Sequence, residues 1–161
     1  MRYIKEMKKL ILISALLLVA SNSWAYNETD LAKFKALNAC VGCDLSGADL
    51  SKANLNNANL NNADLNNADL NNADLFLANL SGAQLFKANL VYANLYYANL
   101  YYANLSEANL SQADLSQADL SQADLKNTDL TTTNLRYAKL DGAKYCKTKI
   151  HRKERNDHCK D

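Results

Sequence analysis

The sequence predicts an all-β solenoid, a chain coiled on itself, and three observations carry that prediction. Leucine stands at every fifth position from Leu45 to Leu140, twenty times without a miss, and Tyr145 continues the series. Two residues before each leucine stands alanine in most repeats, with Cys43, Thr128 and Thr133 as small substitutes. Between the two stands Asp or Asn, with Gln84 and Lys139 as exceptions.

A five-residue period fits neither the 3.6 of a helix nor the 2 of a strand. An α-helix turns about 500° in five residues, so successive leucines would be displaced by about 140° and wander around its surface. Asn at this density also disfavours helix. A flat strand would place alternate leucines on opposite faces. A chain that bends once per repeat keeps every leucine, and the alanine before it, turned inward. Regularity of this kind decides the fold before local propensity does.

The A-(D/N)-L-x-x run over residues 43–145 resembles the pentapeptide-repeat family. The resemblance implies a right-handed quadrilateral β-helix with one side per repeat and four repeats per turn, hence about five coils. At the ~4.8 Å spacing of neighbouring strands the stack is on the order of 24 Å long. Burial of the leucines does not by itself offset the entropy of ordering the coil, so hydrogen bonds between turns must contribute. Stability is then a nearest-neighbour property, and the terminal coils need caps.

The ends read differently from the repeats. Residues 1–25 have a basic start (Arg2, Lys5, Lys8, Lys9), an apolar run from Leu10 to Ala20 and a small-x-small site at Ser23-Trp24-Ala25, the layout of a secretory signal peptide. The apolar run is too short to span a bilayer, and an uncleaved anchor is the alternative reading. The expected mature chain is therefore exported, periplasmic or secreted, with no stable membrane span. Residues 26–39 read as a capping helix, with Asn27, Thr29 and Asp30 at its start and Leu31, Phe34 and Leu37 along one face. Residues 40–145 form the β-helix and 146–161 a basic cap or tail.

Charge and cysteine follow the same division. Without the leader, 14 Lys/Arg face 16 Asp/Glu. Residues 26–135 carry net −7 and residues 136–161 net +5, an acidic body with a basic end that argues against nucleic acid as partner. The four cysteines, Cys40, Cys43, Cys146 and Cys159, all flank the leucine series. In an exported chain they suggest disulfides whose connectivity the sequence leaves open. Cys40 and Cys43 take inward phases of the first turn, as a short-range disulfide or two buried thiols. A 146–159 bridge would fold the tail over the last coil.

Enzyme chemistry finds little support. No histidine lies between residues 26 and 150, so no nucleophile–base pair forms in the body. Asp114, Asp119, Asp124 and Asp129 fall on four successive sides of the coil, and a convex rod offers no cleft. They are read as solvated corner residues. The C-x-x-C lacks a thioredoxin-like setting, and zinc would need ligands that His151 and His158, at the opposite end, do not supply. No catalytic residue, metal or cofactor is expected. Some pentapeptide-repeat proteins mimic DNA and inhibit topoisomerases. The leader, the basic end and the near-absence of central Phe set this chain apart from them.

The remaining lead is aromatic. With four repeats per turn, residues twenty apart are vertical neighbours. Phe86-Lys87, Val91-Tyr92, Tyr96-Tyr97 and Tyr101-Tyr102 then occupy the four sides of the middle coil, and Phe76-Leu77 lies directly below Tyr96-Tyr97. The candidate interaction surface is Phe76, Leu77, Phe86, Tyr92, Tyr96, Tyr97, Tyr101 and Tyr102. Cross-turn packing is the structural alternative, since Tyr favours β structure. Other coils manage with Asn and Ser, and Tyr within a polar rim is how interfaces look. The expected roles are a protein partner or self-association, or else a platform for cell-envelope glycan.

Overall fold

The computed structural model describes residues 26–150 and the backbone of 153–155. The expected leader, His151, His158 and Cys159 lie outside them. Among the described residues one helix, α1 (Glu28–Leu37), is followed by a continuous coil. Parallel bridges link each Asx position to the one twenty residues on, from Ala39–Asn59 through Asp124–Lys144. Four pentapeptides therefore make one turn. The chain is a quadrilateral β-helix.

The repeat closes because every N–H in it has an acceptor, which buried backbone requires. In the repeat around Leu95, the Asn94 N–H donates to Ala73 O in the coil below (2.9 Å) and the Leu95 N–H to Asp114 O in the coil above (2.7 Å). The Ala98 N–H closes a turn onto Leu95 O (2.9 Å), and the Tyr97 N–H reaches Ser116 O (3.2 Å). The Tyr96 N–H donates to Asn94 Oδ1 (3.2 Å). That last bond corrects the reading of Asp and Asn as merely solvated corners. Each accepts the N–H two residues on, as Asp49 does from Ser51 (3.0 Å) and Asp119 from Ser121 (3.0 Å). A one-carbon stem makes this Asx turn. Gln84 shows why the stem length matters. Its longer side chain turns back to donate to Gly82 O (3.3 Å), and the orphaned Phe86 N–H donates instead to Asn66 Oδ1, one coil below (3.0 Å).

Within this frame the leucines from Leu45 to Leu130 and the small residues before them fill the interior. Thr128, Thr133 and Thr148 stand in alanine positions and are also buried. Each hydroxyl donates to a leucine carbonyl, on Leu105, Leu110 and Leu125 respectively, at 2.6–2.9 Å. A polar group thus enters the core without being left unpaired.

At the first coil, Asn27 caps α1 by accepting from the N–H groups of Thr29 (3.0 Å) and Asp30 (3.3 Å). Phe34 is buried and Leu31 packs on the core, but Leu37 stands 65% exposed. The expected stripe 31-34-37 drifts, because six residues rotate 600° and leave Leu37 about 120° from Leu31. The face that meets the coil is 30, 31 and 34. Cys40 and Cys43 are buried and joined in a disulfide, Cα–Cα 5.3 Å.

At the other end the coil runs on past residue 145. Lys147 takes the same left-handed turn conformation as its counterparts, Thr148 is buried and Ile150 packs on the core. Strand β1 (Asp129–Leu130) pairs in parallel with β2 (Thr148–Ile150), which pairs antiparallel with β3 (Lys153–Arg155). The regular path therefore takes in one more repeat than the leucine count suggests, with Thr148 and Ile150 filling the Ala and Leu phases. Cys146 takes part in a disulfide. Its expected partner, Cys159, is outside the described residues.

Candidate interaction face

Each pentapeptide ends in a tight turn whose two central residues are the free pair. The second of them has positive φ throughout the middle coil: Lys87 58°, Tyr92 59°, Tyr97 60° and Tyr102 57°. Leu77, one coil below Tyr97, has φ 57°. This is position i+2 of a type II turn, which favours Gly or Asn, and Gly42, Gly47, Gly82 and Gly142 occupy the same slot. A bulky side chain there is held against its backbone preference, at a cost on the order of 1 kcal/mol. Thr132 shows the limit, since this β-branched residue is absent from the positive-φ set. At that turn the Gln112 N–H is met by Thr132 Oγ1 (2.9 Å) where other turns offer a backbone carbonyl.

The left-handed turn also aims the side chain outward. Leu77, Tyr92, Tyr97 and Tyr102 stand 46–59% exposed, whereas Phe76, Val91 and Tyr96, the turn partners of the first three, and Phe86 beside Lys87 are half-buried. Tyr101 is exposed as well. The structure brings Phe76, Leu77, Tyr96 and Tyr97 together on one side. The rings of Phe76 and Tyr96 stack at 5.9 Å between centroids, and Tyr96 and Tyr97 meet at 4.4 Å. Tyr101 and Tyr102 form a separate edge-to-face pair at 4.4 Å on the next side. Tyr92 accepts a hydrogen bond from Gln112 Nε2 on its hydroxyl (3.0 Å), and Phe86 lies beneath the Lys87 ammonium (4.9 Å). These two are engaged singly, apart from the main cluster.

Hydrogen bonding with Tyr97, followed by desolvation, pushes the Tyr96 phenol above its usual range; Tyr102 does the same to Tyr101. Both rings therefore stay neutral across physiological pH. Asn89, Asn94, Asn99 and Asn104 frame the belt without charge, while Asp64, Asp69 and Asp74 lie below and Asp114, Asp119 and Asp124 above.

Sequence reasoning missed two residues of this side. Arg136 and Tyr137 stand two coils above Tyr96 and Tyr97, with the guanidinium 4.8 Å over the Tyr137 ring and its Nη2 donating to the Tyr137 hydroxyl (3.0 Å). The column at twenty-residue spacing would have found them: Phe76-Leu77, Tyr96-Tyr97, Ser116-Gln117, Arg136-Tyr137. Among the described residues no group of three His, Cys, Asp or Glu is placed to hold a metal.

The fold defines a tandem-repeat solenoid whose side chains, not its backbone, distinguish one surface from another. The chain belongs to the pentapeptide-repeat family: the family model for pentapeptide repeats matches residues 40–75, 78–117 and 113–144. It is similar to the crystal structure of the pentapeptide repeat protein Rfr23 from the cyanobacterium Cyanothece 51142, at 31% identity and TM-score 0.71, over 75% of this chain and 94% of that one. It also matches the pentapeptide repeat protein alr5209 from Nostoc PCC 7120, at 29% identity and TM-score 0.37, over 74% of this chain and 99% of that one. Among curated proteins no match is found. Pentapeptide-repeat proteins are generally non-enzymatic binding proteins.

Proposed function

We propose that this chain is an exported, non-enzymatic binding scaffold that docks a protein partner on the side bearing Phe76, Leu77, Tyr96 and Tyr97. Export rests on the leader-like residues 1–25, and the paired cysteines accord with an oxidising compartment. The observation that carries the docking assignment is backbone conformation. Leu77 and Tyr97 hold left-handed turns with their side chains in water, at positions where other repeats use Asn, Gly or Gln. Large apolar groups kept where they cost conformational energy and bury little are accounted for by something that covers them.

The charge pattern states what kind of partner fits. The turn pairs Phe76-Leu77 and Tyr96-Tyr97 carry no charge, and the Asx positions of the coils below and above hold carboxylates. A surface with an apolar centre and a basic rim complements it. A second copy fits less well, because it would oppose two bodies of net −7 each.

The test is affinity capture from an envelope extract with the wild-type chain and with a Leu77→Asn/Tyr97→Asn variant, followed by binding of the purified captured protein. The expected partner binds the wild type with a salt-sensitive on-rate and the variant at least about tenfold more weakly. A partner that binds both equally overturns the assignment. So does a concentration-dependent dimer of the wild type that the variant abolishes, which would make the occupant a second copy.

A further inference from the structure

The aromatic column on the Tyr96 side has one missing rung. Phe76 and Tyr96 occupy the first turn position in two successive coils, but Ser116 occupies it in the next, and Arg136 and Tyr137 follow above. Between Tyr96 and Tyr137 this leaves an open notch of about 300 Å³, floored by Ser116 and Gln117 and flanked by Asp114, Asn134 and Arg136. The coils carrying the two tyrosines lie roughly 9–10 Å apart along the axis, two strand spacings.

The polar groups in the notch are ordered. Asp114 Oδ1 accepts from the Ser116 N–H (2.9 Å), the Ser116 hydroxyl (2.5 Å) and Asn134 Nδ2 (3.0 Å). All three bonds end on Oδ1, so Oδ2 keeps its acceptor capacity. Arg136 uses one nitrogen on the Tyr137 hydroxyl, and its guanidinium has further donors. Gln117 adds a carboxamide, which both donates and accepts.

We propose that this notch binds a neutral pyranose ring. Tyr96 and Tyr137 line it on opposite sides, and aromatic rings are surfaces on which the C–H face of a sugar packs. Its floor and sides carry mixed donors and acceptors, which suit neighbouring hydroxyls. One carboxylate and one guanidinium cancel, so no net charge selects an ionic ligand. The volume lies at the small end of ligand sites, enough for one ring and not for a long chain segment. The site shares only Tyr96 with the protein-docking face and does not depend on it.

The test is an amide-shift titration of the full chain with glucose, galactose, mannose and N-acetylglucosamine, and with the N-acetylglucosamine tetramer. The expected result is saturable shifts at Ser116, Gln117 and Tyr137 with affinity on the order of millimolar for at least one ring. Tighter binding of the tetramer would mark a ring within a glycan chain as the ligand, and equal binding a free sugar. Ser116→Tyr places a ring in the missing rung, as the chain itself does at Tyr96, and should weaken binding by about tenfold or more. Tyr137→Asn should weaken it too, whereas Leu77→Asn should leave it unchanged. Absence of saturable shifts up to about 50 mM of every sugar overturns the proposal. Undiminished binding by both Ser116→Tyr and Tyr137→Asn, or stronger shifts with a neutral polar tripeptide than with any sugar, overturns it equally.

Discussion

Leu100 and Tyr102 stand two residues apart on the middle coil and live under opposite rules. Leu100 is fully buried, in a slot that holds leucine in every repeat from Leu45 to Leu140. Tyr102 stands 59% exposed with φ 57°, in a slot that in most repeats holds Asn, Gln, Glu, Lys or Gly. The interior is fixed by packing and permits no choice. The outer turn is fixed only in its backbone, and any residue that tolerates a left-handed φ serves the fold. Departures from the cheapest outer residue therefore carry information about use, and the aromatic belt is the largest such departure.

The comparison is broken most forcefully from the inside. Leu100→Ala should cost about 2–5 kcal/mol, read as a large loss of thermal stability. Leu140→Ala, at a half-buried end position, should cost distinctly less. The Asx acceptors come next. Asn94→Ala removes the acceptor of the Tyr96 N–H and should cost about 1 kcal/mol in denaturant unfolding. Gln84→Ala should cost within about 0.5 kcal/mol, because Phe86 already uses Asn66.

Acid should act on the same turns. The Thr131 hydroxyl and N–H, bonded to Asp129 Oδ1 at 2.5 and 2.9 Å, hold the Asp129 carboxyl below its usual range, with help from Lys149. Ser51 does the same for Asp49. A depressed folded pKa means that this stabilisation is complete above the unfolded value of roughly 3.9 and disappears as pH falls below it. Unfolding midpoints should thus be flat from neutral pH to about 5 and decline below about 4. Asp129→Asn keeps an acceptor without the charge and should flatten part of that decline. The smallest effect belongs to the outer slot: Tyr97→Asn should leave stability unchanged or raise it by up to about 1 kcal/mol.

Much of this contrast was legible in the sequence, for reasons that mirror it. The leucine period gave away the coil because the interior repeats without exception. The twenty-residue column placed Phe76 beneath Tyr96, and the rings do stack. The left-handed turn was written less plainly, since its slot is variable, although Gly42, Gly47, Gly82 and Gly142 all share that phase. The Asx turn is hidden in the constancy of Asp and Asn, which a solvated corner would share, and only the exception at Gln84 exposes the bond. The last repeat escaped because Thr148 and Ile150 replace the expected Ala and Leu. Leu37 was misplaced by counting in threes where the face advances by threes and fours.

The most direct test of the claim that the belt is kept for contact and not for stability is thermal unfolding of a Tyr92→Asn/Tyr97→Asn/Tyr102→Asn variant beside the wild type. The expected midpoint is equal to or a few degrees above that of the wild type, since each change relieves a left-handed bulky residue. A midpoint lower by roughly 10 °C or more would show that the rings hold the coil together, and would contradict it.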